Sequence, residues 1–289
     1  MNWVFLCQVL WYGFRNGVVY ILFASGLTLI FGVMQVVNFA HGEIYMVGAI
    51  LVYLFTTLLG LNYFLSIALS ITSAALLGFI SNRLIIQPLL KHRASQASVM
   101  LSTMGLSYML LHGVIASCGS DVVPVEWPFQ RVLHVGGIII TEADLILVLV
   151  GAITIGGLYL FLTKAKLGKK MRATSQNTMG AKIVGINTLR VYDYTMIAGI
   201  TLAAVGGILL APISAAYAGM GQPMLVLGFA IVIIGGMGNV QGVVITGLVL
   251  GLAEALFGYY VSTSYKPAFV YALMIAGLLW RPEGVFYRK

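Results

Sequence analysis

The sequence predicts an all-α fold, a polytopic bundle of about eight or nine transmembrane helices with broken or re-entrant segments, and three observations carry that expectation. Of 289 residues, 60% are hydrophobic and only 8% are charged, whereas about a quarter of an average soluble domain is charged. Apolar runs of spanning length recur from one end of the chain to the other; a hydrocarbon core of about 30 Å needs roughly 20 apolar helical residues. The basic residues collect in a few connections between those runs. A soluble chain needs a charged surface, but an ion at bilayer mid-depth costs at least about 2.5–3.5 kcal/mol. The bilayer is therefore the main solvent.

Spans are expected at residues 16–33, 39–59, 63–86, 97–118, 144–163, 191–217, 241–261 and 265–280, within one domain covering residues 1–289. The stretch 224–234 is short for a span and runs into Gly235-Gly236-Met237-Gly238-Asn239, so it reads as a half-helix or re-entrant segment. Arg15 is the first basic residue, and apolar sequence continues beyond signal-peptide length, so no cleavage is expected. Glycine supplies 34 of the 289 residues, above the average of about 7%, which implies helices approaching closely at small residues. Cys7 and Cys118 sit in apolar surroundings, form no CxxC pair and lie near no His set, so ordinary buried thiols are expected rather than a disulfide or zinc site. Ile30-Phe31-Gly32-Val33-Met34 and Ile233-Ile234-Gly235-Gly236-Met237 share spacing at three positions, a short hint of internal duplication.

Lys and Arg mark the cytoplasmic side of short loops. They concentrate at Lys91 and Arg93, in the 164–190 connection (Lys164, Lys166, Lys169, Lys170, Arg172, Lys182, Arg190), and at Arg281, Arg288 and Lys289. All three places are expected on the cytoplasmic side. The 119–143 connection then lies outside, holding Asp121, Glu126 and Glu142 with Arg131 as its strongly basic residue. Counting back puts the N-terminus outside, unless residues 35–42 re-enter. The formal charge of +8 does not signal nucleic-acid binding, because the basic residues flank apolar segments without interleaved aromatics.

Three segments are candidates for chemistry or coupling. In the basic connection, Ser175 offers an N-cap, Met179 and Ile183 lie four apart on one face, and Gly185 suits a C′ position, predicting a short helix at 176–184. A helix that short is marginal in water unless its apolar face docks on a partner; a solvated basic loop against anionic headgroups is the alternative. In Asn38-Phe39-Ala40-His41-Gly42-Glu43, a His and a carboxylate open an apolar span. Glu43 and Glu254 are the carboxylates assigned to spans, and either suits an ammonium group of a passing solute, with Asn38 and His41 adding hydrogen bonds. Glu43 also suits the positive end of a helix, and His41 a backbone hydrogen bond. In Gly235 through Gly242, Gly236 and Gly238 either break a helix beside a cavity, joining the substrate path through exposed carbonyls and amides, or make an inter-helix turn. No Lys-Ser or Lys-Thr follows, and no phosphate-binding loop, HExxH, G-x-S-x-G or closely paired carboxylates occur. No catalytic residue, metal ligand or cofactor is expected, and a membrane enzyme is a poor reading.

The run from Gly26 through Thr28, Gly32, Gln35 and Asn38 to Glu43 resembles the N-terminal signature of branched-chain amino acid ABC transporter permeases. Gly168-Lys169-Lys170-Met171-Arg172-Ala173-Thr174-Ser175-Gln176-Asn177, with Ala181 and Gly185-Ile186-Asn187, is similar to that family's cytoplasmic loop. Gly235–Asn239 through Gly251-Leu252-Ala253-Glu254 is similar to its C-terminal Gly-rich stretch. The resemblance implies an importer of a bacterial envelope: two related permeases, two cytoplasmic ATPases and an extracytoplasmic solute-binding protein. On that reading 164–190 docks on the ATPase, through Arg172, Ser175, Met179, Ile183 and Gly185, and 119–143 helps receive the binding protein. Similar permeases serve urea and short amides. From the residues alone, an ion-coupled secondary transporter stays open, with Glu43 and Glu254 as its few ion-binding candidates, as does a channel or a structural subunit.

Overall fold

The computed structural model describes residues 3–128, 131–281 and 284–286. Helix α1 spans Trp3–Met34, α2 His41–Tyr53 with a π-wound continuation over Leu54–Leu58, and α3 Tyr63–Ser81. A second π turn, Asn82–Ile86, joins α3 to α4 (Gln87–Lys91), and α5 is Gln96–Cys118. Strands β1 (Val132–Val135) and β2 (Ile138–Thr141) precede α6 (Glu142–Lys164), α7 (Lys166–Gln176) and α8 (Thr178–Ile183). The chain continues through α9 (Thr188–Ser214), α10 (Gly221–Gly235), α11 (Val240–Tyr260) and α12 (Lys266–Trp280). Among the described residues, seven helices are long and apolar enough to cross a membrane, and α10 and α12 are shorter apolar helices. That is the expected all-α polytopic bundle.

Small polar residues placed just before the apolar runs start six of these helices. Asn62, Ser95, Thr141, Asn177, Asn187 and Asn239 each accept a backbone N–H of the following turn through their side chains. Each satisfies a donor that the first helical turn leaves orphaned. At Thr141 the cap is reciprocal, since Asp144 reaches back to the Thr141 N–H at 3.1 Å.

Three expectations need correction. Cys7 is exposed and Cys118 half-buried rather than both buried, because an apolar run in a membrane protein also faces outward from the bundle. The first helix begins at Trp3 rather than residue 16, and its 32 residues make about 48 Å at 1.5 Å per residue. Arg15 does not end the apolar run, because its guanidinium is paired with Asp144 at 2.8 Å and held by Asn16. The 119–143 connection also carries a hairpin the sequence reading did not anticipate. Gly136 and Gly137, at φ +59° and +86°, supply the left-handed pair that a tight two-residue turn requires. Gln8 of α1 exchanges two hydrogen bonds with Ile139 of β2. Arg288 and Lys289, read above as part of a basic terminus, lie outside the described residues.

The core centres on α1 and α9, whose middle turns are buried almost throughout. Helix α1 runs antiparallel to α11, and two GxxxG stretches face each other there: Gly13 and Gly17 against Gly247 and Gly251. A Cβ at Gly251 would stand 2.6 Å from the Gly17 Cα. Gly26 of α1 meets Gly199 of α9 with comparable closeness. Lipid tails are as apolar as leucine, so close van der Waals packing takes over the role that hydrophobic exclusion plays in water. The outer faces invert the soluble pattern, with Leu84, Leu101 and Ile153 each about two-thirds or more exposed.

Gly251→Val should therefore force α1 and α11 apart and cost about 1–3 kcal/mol, the usual range for overpacking. The check is thermal unfolding in detergent, with Gly156→Val as control, since a Cβ at Gly156 meets nothing within 4 Å. A lowered transition for Gly251→Val alone is expected.

Candidate functional site

Between α1 and α2 the backbone leaves helical geometry at Gln35, where φ is +54°, and stays irregular through Asn38 before a turn at Phe39 and Ala40. Non-helical backbone at membrane depth needs internal partners, and α5 provides them. Gln96 Nε2 donates to the Gln35 carbonyl (3.3 Å), and Thr103 Oγ1 accepts the Phe39 N–H (3.2 Å) while its single proton is shared between the Met100 carbonyl of its own helix (2.9 Å) and the Val37 carbonyl (3.4 Å). Asn38 Oδ1 accepts the Ala40 N–H at 3.1 Å, turning the chain into α2.

That turn places His41 and Glu43 in the first turn of α2, both buried. His41 Nε2–H donates to the Phe23 carbonyl of α1 at 3.1 Å, and the rings of His41 and Phe23 meet edge to face at 4.8 Å. Glu43 Oε1 accepts Ser107 Oγ of α5 (3.3 Å) and Gln222 Nε2 of α10 (3.4 Å). Its Oε2 has no hydrogen-bond partner, and no cation pairs with it among the described residues. The result is a carboxyl group held where three helices converge, with one oxygen free to accept a donor. The Asn38 amide nitrogen and His41 Nδ1 are likewise buried without partners.

Glu254 stands elsewhere, bordering a cavity of about 430 Å³ that Arg15, Tyr45, Tyr217, Met224 and Tyr271 also line. Tyr20 Oη donates to its Oε2 at 2.7 Å. Gly236 and Gly238 join neither group. They form the turn between α10 and α11, at φ +92° and +83°, where the Gly238 N–H donates to Thr28 Oγ1 at 2.9 Å. Gln222 beside Glu43 and Gly236 lie at opposite ends of α10, about 20 Å apart at 1.5 Å per residue. This turn between the two helices packs on Gly32 at the end of α1. It also borders a second cavity of about 230 Å³ that reaches Arg172 and Ser175 of α7.

The basic connection folds as two helices rather than one. Ser175 lies inside α7, its Oγ donating to the Arg172 carbonyl at 2.8 Å, and Asn177 is the N-cap of α8 instead. Asn177 is extended (φ −155°), which separates the helices and frees its side chain to cap. The other end is as expected: Gly185 has φ +80°, its N–H bonds the Lys182 carbonyl, and Ile186 N–H bonds that of Ala181. These two bonds make a Schellman motif. Ala181 faces inward, while Met179, Ile183 and Val184 are 69%, 80% and 75% exposed. Met171 of α7 is fully buried, anchoring the segment to the bundle.

Asp144 and Asp193 are further carboxylates buried in helices, beyond the two assigned from sequence. Both fall inside the expected spans 144–163 and 191–217, so an acid within an apolar run was the available signal. Ser107 and Gln222 had none, being ordinary polar residues until the fold brings them to Glu43.

A bundle of seven helices long and apolar enough to cross a membrane, with a largely apolar exposed surface, is the architecture of a membrane-spanning protein. The family described as "Branched-chain amino acid transport system / permease component" matches residues 9–278. The chain is 30% identical to the high-affinity branched-chain amino acid transport system permease protein LivH of Escherichia coli, over 99% of this chain and 97% of that one. It is 29% identical to the corresponding BraD protein of Pseudomonas aeruginosa, over 96% and 94%. A probable LivH of Methanocaldococcus jannaschii is 29% identical over 92% and 87%. Among solved structures, PsaBC from Streptococcus pneumoniae in complex with Fab shares the fold, with TM-score 0.53 and 14% identity, covering 96% of this chain and 92% of that one. The chain belongs to the branched-chain amino acid transport permease family.

The Arg15–Asp144 pair offers a check on the polar interior. The two side chains are 14% and 3% exposed, and removing one partner of a buried pair costs about 3–5 kcal/mol, whereas apolar replacement of both is often near neutral. Asp144→Ala should lower the unfolding temperature in detergent, and Arg15→Met with Asp144→Leu should restore most of the loss.

Proposed function

We propose that this chain is the membrane-spanning permease subunit of an ATP-binding-cassette importer that carries branched-chain amino acids across a bacterial cytoplasmic membrane. The observation that carries the reading is the family match over nearly the whole chain, joined by relatives whose names specify that transport system. The chain has no phosphate-binding loop, so ATP hydrolysis belongs to two separate cytoplasmic ATPase subunits. A second related permease and an extracytoplasmic binding protein complete the assembly, which sits in membrane lipid.

Sidedness follows from the basic residues: Lys91, Arg93 and the 164–190 segment face the cytoplasm, and 119–143 faces out. Helix α8 is the coupling element. Its six residues are too few to be stable alone, and Met179, Ile183 and Val184 present apolar surface to a partner. Arg172, Ser175 and Gly185 shape that segment rather than form its tip. ATP-driven closure of the ATPases shifts α8 and, through α9, the helices that surround Glu43, giving alternating access. Asn38, His41 and Glu43 border the solute path. The free Glu43 oxygen accepts the ammonium group, and Glu254 offers a second acceptor in its own cavity. Gly236 and Gly238 shape the turn at the cytoplasmic end of that path. The binding protein selects the solute first, so the path needs few charged groups.

The test is uptake of radiolabelled leucine into vesicles by this chain alone and with ATPases, second permease and binding protein. Uptake only with the full set and ATP is expected. Gradient-driven uptake by the chain alone would establish a secondary transporter instead, and uptake of urea or acetamide but not leucine would change the solute. Glu43→Gln should cut uptake about 10-fold or more, as loss of a charge-assisted contact predicts, with assembly intact; full uptake would remove Glu43 from the path. Met179→Glu with Ile183→Glu should abolish co-purification of the ATPase without lowering the yield of the permease.

A further inference from the structure

Among the described residues, Asp193 is the carboxylate that gathers the most side-chain donors. It accepts Asn82 Nδ2 at 2.8 Å, Gln87 Nε2 at 2.7 Å, and Arg83 Nε and Nη2 at 3.2 and 3.0 Å. Gln87 Nε2 also donates to the Leu189 carbonyl at 3.0 Å. Asn82 and Gln87 are buried like Asp193 itself, whereas the Arg83 side chain is about half exposed. The donors come from the π turn joining α3 to α4 and from Gln87, the first residue of α4, and the acceptors from the first turns of α9.

The π turn explains how three donors reach one carboxylate. Residues five apart on an α-helix diverge by about 140° at 3.6 residues per turn. An i→i+5 turn brings them onto one face, and Gln87 N–H bonds the Asn82 carbonyl in that way. The network lies directly beyond α8, since Gly185, Ile186 and the cap Asn187 lead straight into α9. Packing is thin at this level. A cleft of about 760 Å³ separates Leu90, Lys91 and Arg93 from Lys182, Ile186 and Tyr192. Further along, α9 packs on α1, α2 and α3.

We propose that Asp193 is a positioning residue for energy coupling: it clamps α3 to the first turns of α9, so that displacement of α8 moves the two helices as one body. The proposal rests on the functional reading above and adds the joint through which α8 acts. Without the clamp, the α8–α9 corner yields into the cleft, and ATP is hydrolysed without moving solute.

The experiment measures leucine uptake and ATP hydrolysis together in vesicles holding the complete complex. Asp193→Asn and Arg83→Gln should assemble normally and hydrolyse ATP near the wild-type rate. Leucine moved per ATP should fall about 10-fold, within the usual range of coupling between sites, and Arg83→Lys should recover part of it. An unchanged ratio in assembled variants would overturn the proposal, as would uptake and hydrolysis falling in proportion, which marks a merely structural role. If Asp193→Asn does not assemble, Arg83→Gln decides the matter, because its side chain is half exposed. A wild-type complex lacking ATP-driven uptake overturns the functional reading and this proposal with it, whereas intact wild-type coupling with unaltered variants overturns the proposal alone.

Discussion

In hydrocarbon there is no water to take up a backbone N–H or carbonyl, so every peptide group at membrane depth must be bonded within the protein. Helices meet this requirement by themselves. The irregular residues between α1 and α2 do not, and α5 lies against them, with Gln96 and Thr103 bonding their backbone and Asn38 closing the turn. The same docking that satisfies this backbone brings Ser107 of α5 to Glu43. Backbone satisfaction and construction of the candidate site are thus one event.

Close packing is the second consequence of this solvent. Helices that gain little from leaving lipid must gain from contact, and the facing glycine pairs of α1 and α11 let two backbones touch. The buried charges obey the same economy. Arg15 and Asp144 pair, Asp193 is surrounded by donors, and Glu254 receives a phenol. Glu43 is the exception, with one buried oxygen unused. That oxygen has unpartnered neighbours in Asn38 Nδ2 and His41 Nδ1, so unsatisfied polar atoms gather at the start of α2 around a carboxylate that lacks the pairing of the others.

Much of this was legible in the chain. Composition and apolar run length fixed the bundle, because spans depend on local hydropathy alone, and the exposed apolar pair Met179 and Ile183 followed from four-residue spacing. Errors arose where a long-range partner changes the meaning of a residue. Arg15 looked like the edge of a span until Asp144 neutralised it. Ser175 suits an N-cap by residue type, but α7 continues through it to Gln176, and Asn177, whose extended backbone breaks the helix, caps α8 instead. The glycines at 236 and 238 were read with the substrate path, yet α10 carries them to the far end from Glu43. The partners of Glu43 come from α5 and α10, and no local pattern marks either residue.

The chain belongs to a permease family, and in the proposed function its Glu43 site borders the solute path while the exposed apolar tip of α8 meets an ATPase. The most direct measurement is the steady-state ratio of leucine inside to outside vesicles containing the full complex, supplied with ATP or with a non-hydrolysable analogue. The account predicts accumulation well above the external concentration with ATP and none with the analogue. Accumulation that persists with the analogue, or leucine that merely equilibrates in the presence of ATP, would contradict it.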